Sequence, residues 1–208
     1  MKPLELEKAL LEIVMKYGIN KEIVGLEKRE SPDFVCSLIN GENIGIEITQ
    51  SMLPYHGRVK IISERYGNRK SFEWVSDKIK NDKKLKLFLN NGIITYGNDI
   101  TIITDANGLI DTVMYLKALI KQLNKKLIKL NNNYEVMDYN YLIVKPDGPI
   151  LRNENDINYI LNKLNIISKD YEILFDHIYI YTFDWLYLLK YNDGYQLVDT
   201  KKLPSTEI

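Results

Sequence analysis

The chain has very little cysteine and histidine. Among its 208 residues are one Cys, Cys36, and two His, His56 and His177. A single thiol excludes an internal disulfide and a cysteine-rich zinc site within the chain, and it fits a reducing compartment. Two scattered imidazoles argue against a nucleophilic triad, and no Gly-rich phosphate loop, GxSxG elbow or HExxH pair occurs. The familiar nucleophile and zinc chemistries therefore have no support in this sequence.

Long apolar runs and a net charge are also missing. No stretch of about 20 residues is free of charge, so we expect no membrane span. The N-terminal segment MKPLELE is too acidic for a signal peptide, and a cytoplasmic location is expected. Lys plus Arg and Asp plus Glu both number 28, so net charge argues neither for nor against nucleic acid. With 45% hydrophobic residues, one domain with a sizeable core is expected.

Hydrophobic periodicity and turn residues predict an alternation of strands and helices. Helical spacing is predicted at 3–17, 58–89, 109–130 and 154–169, and strands at 23–28, 34–39, 44–50, 100–104, 139–144, 177–182, 185–191 and 195–198. An antiparallel start followed by this alternation indicates an α/β fold. Its expected core is a mixed central β-sheet flanked by helices on both faces.

Two carboxylates stand on the two strands of the first predicted hairpin. Asp33 follows Pro32, and Glu47 lies in a run where Ile alternates with Gly, Glu and Thr. Opposed residues of a hairpin have numbers with a constant sum, so Asp33 and Glu47 share a face only across an odd loop or a bulge. A loop of residues 40–42, with Gly41 in a left-handed conformation, satisfies this condition. An even loop of residues 41–42 would put the two carboxylates on opposite faces unless Asp33 lies beyond the regular pairing. Two converging carboxylates suit a hard divalent cation.

A basic segment follows this acidic region. Its cations, which we take as candidate nucleic-acid-binding residues, are Arg58, Lys60, Arg65, Arg69 and Lys70. Acidic residues followed at once by basic helices are the charge layout expected of a metal site that faces a phosphate backbone. The alternative is that these side chains form an ordinary solvated helix face.

The residues Pro32-Asp33 and Glu47-Ile48-Thr49, in their strand context, resemble the PD-(D/E)XK nuclease superfamily with its restriction-endonuclease-like core. The resemblance implies one domain over 1–208, with a core at about 3–104 and a C-terminal elaboration at 105–208. It implies that Asp33 and Glu47, with the Ile48 carbonyl, hold Mg²⁺ or Mn²⁺. The implied reaction is hydrolysis of phosphodiester bonds, in DNA rather than RNA. A homodimer is an open alternative, since many such folds pair to cut two strands.

The resemblance breaks at one position, where Thr49 stands in place of the motif lysine. Gln50 is adjacent but points to the other strand face unless a bulge turns it. Lys60 or Arg58 could reach back as a displaced cation. The candidate catalytic set is therefore Asp33, Glu47, Thr49, Gln50 and Lys60. The family's upstream acid would be Glu30, Glu27 or Glu12.

Two functional hypotheses follow. The first is a Mg²⁺-dependent nuclease of bacterial or phage origin, an origin suggested by the abundance of Asn, Ile, Lys and Tyr. The second, which rests on Thr49, is a catalytically inactive nuclease-fold protein that binds nucleic acid or a partner protein in a defence or anti-defence role. A purely structural α/β protein is a third alternative.

Overall fold

The computed structural model of the chain describes residues 3–51, 92–96, 100–104, 112–146, 154–182 and 185–204. Its helices are α1 (Pro3–Tyr17), α2 (Thr112–Asn132) and α3 (Glu154–Ile167), the last followed by a 3-10 turn (Ser168–Asp170). Its strands are β1 (Ile23–Lys28), β2 (Phe34–Leu38), β3 (Asn43–Ser51), β4 (Gly92–Tyr96), β5 (Ile100–Thr104), β6 (Tyr139–Pro146), β7 (His177–Thr182), β8 (Trp185–Tyr191) and β9 (Tyr195–Lys202).

Seven of these strands form one mixed sheet in the order β1-β2-β3-β6-β7-β8-β9. The first three strands pair antiparallel, β3, β6 and β7 are parallel, and β8 and β9 return antiparallel. Parallel neighbours need a crossover, and α2 and α3 lie in the two crossovers. The predicted α/β class with a mixed sheet is confirmed.

Strand alternation decides what each face of the sheet carries. Ile44, Ile46 and Ile48 of β3 point to one face, where they are buried with Leu10 and Val14 of α1 in a single hydrophobic cluster. The intervening residues of β3 point to the opposite face. That face is covered by α2, whose apolar stripe is fully buried at Leu119, Leu123 and Leu127. Helices therefore cover both faces of the sheet near β3.

The chain forms two compact units, one made of residues 1–51 and 115–208 and the other of residues 52–114. In the second unit, the described strands form the antiparallel β4–β5 hairpin, in which Gly92 pairs with Thr104. Strand β4 was not predicted from the sequence. The expected helical segment at 58–89 lies outside the described residues.

The seven-stranded sheet is built from both the segment at about 3–104 and the segment at 105–208. Strand β6 lies directly beside β3, with Glu47 paired to Leu142, so the C-terminal half supplies strands to the centre of the same sheet. A long crossover connection returns the chain to the side of β3, because parallel strands that are neighbours in space can be distant in sequence.

Candidate metal centre

The β2–β3 hairpin has the register that brings Asp33 and Glu47 to one face. Phe34 pairs with Ile46 and Val35 with Gly45, so the same register places Asp33 opposite Glu47. Leu38 bonds Glu42 across the turn, which leaves a loop of three residues, Ile39 to Gly41. Gly41 has φ 88°, a left-handed conformation that glycine adopts without a steric penalty. The loop is odd, as the metal hypothesis requires, and it begins one residue earlier than predicted.

The carboxylate of Asp33 is fixed by the backbone of β3. Strand β2 begins at Phe34, and the N–H of Ile48 donates a hydrogen bond of 2.7 Å to Oδ2 of Asp33. The preceding Pro32, joined to Ser31 by a cis peptide bond, packs over Gly45. A Cβ at Gly45 would lie 3.1 Å from Pro32 Cγ and 3.0 Å from Met137 Cγ, so the absence of a side chain lets this loop approach β3.

Burial raises the pKa of the Asp33 carboxyl above its ordinary value. The hydrogen bond from Ile48 opposes this shift, and the negative charge of Glu47 adds to it. Two carboxylates that repel each other in a partly buried place favour either a proton or a cation between them.

The side chain of Glu47 is paired with a lysine from α2. Its Oε1 accepts a hydrogen bond from Nζ of Lys126, and the two side chains are 5% and 9% exposed. A buried charge is expensive unless a partner of opposite charge accompanies it. Each residue of this pair therefore depends on the other for its place in the interior.

A second hydrogen bond joins α2 and β3, one helical turn before Lys126. Nε2 of Gln122 donates a hydrogen bond of 2.5 Å to Oγ1 of Thr49. Residues four apart on a helix lie on the same face, and residues two apart on a strand do too. Gln122 thus contacts Thr49, and Lys126 contacts Glu47. These two contacts fix the orientation of α2 relative to β3.

Two buried polar atoms at this place lack a hydrogen bond of ordinary length and angle within the described part of the chain. They are Oε2 of Glu47 and the hydroxyl of Tyr134. Burial, a side-chain hydrogen bond with Glu47 and the negative charge of that carboxylate raise the pKa of Tyr134 above that of a free phenol. Buried polar groups are nearly always satisfied, and here the phenol of Tyr134 faces the carboxylate of Glu47.

The donor set fits a hard cation that keeps most of its water. Within the described ranges, no group of three or more His, Cys, Asp or Glu side chains is placed to hold a metal. Mg²⁺ is commonly held by one or two carboxylates together with water and substrate oxygens, and Asp33 and Glu47 supply such a pair. Lys126 binds Oε1 of Glu47, and Oε2 is the oxygen that this ion pair leaves open.

The other sequence candidates have different outcomes. Thr49 shares the face of Glu47, whereas Gln50 lies on the opposite face, half-buried, as strand alternation requires. Of the proposed upstream acids, Glu12 and Glu30 are exposed, and Glu27 is exposed and bonded to Arg29. Arg58, Lys60, Arg65, Arg69 and Lys70 lie outside the described residues.

Sequence reasoning missed Lys126, Gln122 and Tyr134. A signal for Lys126 was available, because it lies three residues after Leu123 and four before Leu130, within the apolar stripe of α2. A lysine at a stripe position is buried when the helix packs, and it then needs a carboxylate partner. Which carboxylate it meets depends on how α2 is set over the sheet.

Comparisons of the chain with protein-family models, with curated proteins and with solved structures found no match. No helix among the described residues is long and apolar enough to cross a membrane. The fold and the site therefore define an α/β protein with a mixed seven-stranded sheet and a buried cluster of two carboxylates and a lysine between that sheet and α2. No family is assigned to it by the comparisons.

Proposed function

We propose that the protein is a metal-dependent nuclease that hydrolyses phosphodiester bonds, with DNA as the expected substrate. One observation carries the proposal. Lys126 of α2 binds Glu47, which lies two residues before Thr49, and Thr49 stands where the PD-(D/E)XK motif has its lysine. Asp33 stands opposite Glu47 in the hairpin register. The proposal assigns the two acids and the cation of that motif to Asp33, Glu47 and Lys126.

Asp33 and Glu47 would hold Mg²⁺ or Mn²⁺, and such a cation polarises a phosphate and lowers the pKa of a bound water. The hydrogen bond from Ile48 orients the Asp33 carboxylate. Lys126 carries three N–H donors, of which one binds Glu47. Gln122 holds Thr49 and thereby keeps the helix turn that bears Lys126 in place.

Cleavage assays with purified protein test the proposal. Supercoiled DNA, linear duplexes, single strands and RNA are incubated with Mg²⁺ or Mn²⁺, and with chelator as the blank. We expect metal-dependent cleavage. Glu47→Gln should lower its rate by at least about 10²- to 10³-fold, the cost of losing one electrostatic stabiliser. Glu135→Gln is the matched control, because Glu135 is an exposed acid that pairs with Arg29. No cleavage on any substrate would refute the nuclease.

A second function, a catalytically inactive nuclease-fold protein that binds nucleic acid or a partner protein, is favoured by the same ion pair. Lys126 already occupies one oxygen of Glu47, and no third acidic or imidazole ligand accompanies the two carboxylates within the described residues. Nucleic-acid binding that is unchanged by metal and by Glu47→Gln, without turnover, would support this function over the first. Its biological setting would then be defence or anti-defence.

A further inference from the structure

Helix α2 is basic along its whole length. Its sequence, TVMYLKALIKQLNKKLIKLNN, contains five lysines and no acidic residue. Lys126 points into the site, and the other four, Lys117, Lys121, Lys125 and Lys129, are exposed. These four form what we call the lysine stripe. They recur every fourth residue, so they are neighbours on the helix surface and span about 18 Å along its axis.

The lysine stripe does not serve the stability of the helix. Like charges four residues apart repel one another. Within the described residues, Lys117, Lys121 and Lys125 form no ion pair, and Lys129 lies 5.9 Å from the ring of Tyr134. A row of cations that forms no ion pair among the described residues suits an external polyanion.

The stripe adjoins the candidate site. Gln122 and Lys126, which bind Thr49 and Glu47, each directly follow a member of the stripe, Lys121 and Lys125. Successive helix residues are turned by about 100°, so the stripe lies on the flank next to the face that closes the site. An extended polyanion along that flank would pass beside the two carboxylates.

We propose that the lysine stripe binds the phosphodiester backbone of a nucleic acid and positions one strand beside Asp33 and Glu47. The identity of the ligand rests on the function proposed above. A lipid surface fits less well, because the apolar side of α2 is buried against the sheet at Leu119, Leu123 and Leu127 and cannot insert into a bilayer. Lysines act as point charges on phosphates, so the stripe gives affinity and orientation without reading base sequence.

The test measures binding without cleavage. Fluorescence anisotropy follows labelled duplex DNA, single-stranded DNA and RNA in chelator, over a range of salt concentrations. The variant Lys117→Gln/Lys121→Gln/Lys125→Gln is compared with a control of equal charge change, Lys8→Gln/Lys163→Gln/Lys169→Gln, whose lysines are exposed on α1, on α3 and in the 3-10 turn. Circular dichroism verifies that both variants keep the helices.

For duplex DNA we expect the stripe variant to lower the slope of log affinity against log salt by about 2.7, since each phosphate contact contributes about 0.9. From about 50 to 200 mM salt, wild-type affinity should then fall about 40-fold more than that of the variant. The control should keep a slope close to wild type. An unchanged slope in the stripe variant, an equal fall in the control, or binding to anionic vesicles but to no nucleic acid would overturn the proposal.

The two proposals can fail separately. If wild-type protein binds nucleic acid through the stripe in chelator but cleaves nothing when Mg²⁺ or Mn²⁺ is added, the nuclease fails and the stripe stands. If metal-dependent cleavage occurs and the stripe variant binds with the wild-type salt slope, the stripe fails and the nuclease stands.

Discussion

Lys126 and Glu47 form an ion pair between α2 and β3, although 79 residues separate them in the chain. Both side chains are almost completely buried, at 9% and 5% exposure. Two charges withdrawn from water in this way seldom increase stability relative to well-packed apolar residues. The pair is therefore expected to add little to the stability of the fold when it is compared with an apolar pair of similar size.

The first prediction concerns the energetics of this pair. Lys126→Met leaves the Glu47 carboxylate buried and unpaired, so the free energy of unfolding should fall by about 3–5 kcal/mol. Glu47→Leu/Lys126→Met should recover stability to within about 1 kcal/mol of wild type, because an apolar pair carries no desolvation cost. Urea denaturation measures both values. Lys125→Met, an exposed neighbour, is the control and should stay within about 0.5 kcal/mol. A double variant as unstable as Lys126→Met would contradict this account.

The second prediction concerns variants in which the lysine is removed from position 126 and placed at the motif position, Thr49. Lys126→Met should lower metal-dependent cleavage about 10²- to 10³-fold, since one electrostatic stabiliser is lost. Thr49→Lys in the Lys126→Met background should regain part of that rate, because Thr49 and Glu47 share a strand face on which a lysine can reach the same phosphate. Initial rates on one DNA substrate measure the effect. Gln50→Lys in the same background is the control and should not restore the cleavage rate, because Gln50 lies on the opposite strand face. If Gln50→Lys restored the rate as well as Thr49→Lys, the role assigned to Lys126 would be refuted.

The third prediction concerns metal binding itself. A ligand that binds the folded state alone stabilises it, by about 2.7 kcal/mol at one hundred times its dissociation constant. Added Mn²⁺ should therefore raise the melting temperature of wild type, and should do so less in Asp33→Asn and in Glu47→Gln.

Glu135→Gln should respond to Mn²⁺ like wild type, since its carboxylate pairs with Arg29 outside the site. Thermal unfolding with Mn²⁺ and with chelator gives these shifts without reference to activity. Equal shifts in all four proteins would place the metal elsewhere.

The fourth prediction is a loss of stability in alkali. Burial raises the pKa of Tyr141, Tyr179 and Tyr195 above the ordinary value of 10. Above pH 10 the unfolded chain releases these phenolic protons while the folded chain keeps them, so the unfolded state binds fewer protons. The free energy of unfolding should consequently fall as pH rises beyond about 10.

Absorbance of ionised tyrosine, recorded with circular dichroism during a titration, checks this prediction. The three buried phenols should ionise together with the loss of the fold, and later than the exposed ones. Ionisation of all 15 tyrosines near pH 10 with the fold intact would contradict it.

The sequence alone determined most of the local structure near the site. Alternation of Ile44, Ile46 and Ile48 with Gly45, Glu47 and Thr49 decides which side chains face α1, because a strand has a period of two. Turn chemistry at Gly41 located the turn but allowed an odd or an even loop, and the structure has the odd loop that puts Asp33 opposite Glu47. These are short-range properties, in which a few neighbouring residues carry the whole signal.

Only the tertiary structure decided which cation meets Glu47. The sequence offers Gln50, or Arg58 and Lys60 just after the hairpin, in place of the motif lysine, whereas Lys126 comes from the helix that precedes β6. Its position depends on β6 pairing with β3 and on the rotation of α2 about its own axis, and both result from packing the whole sheet. A helical period can mark Lys126 as inward-facing, but it cannot say what lies beneath it, because that partner belongs to a strand distant in sequence.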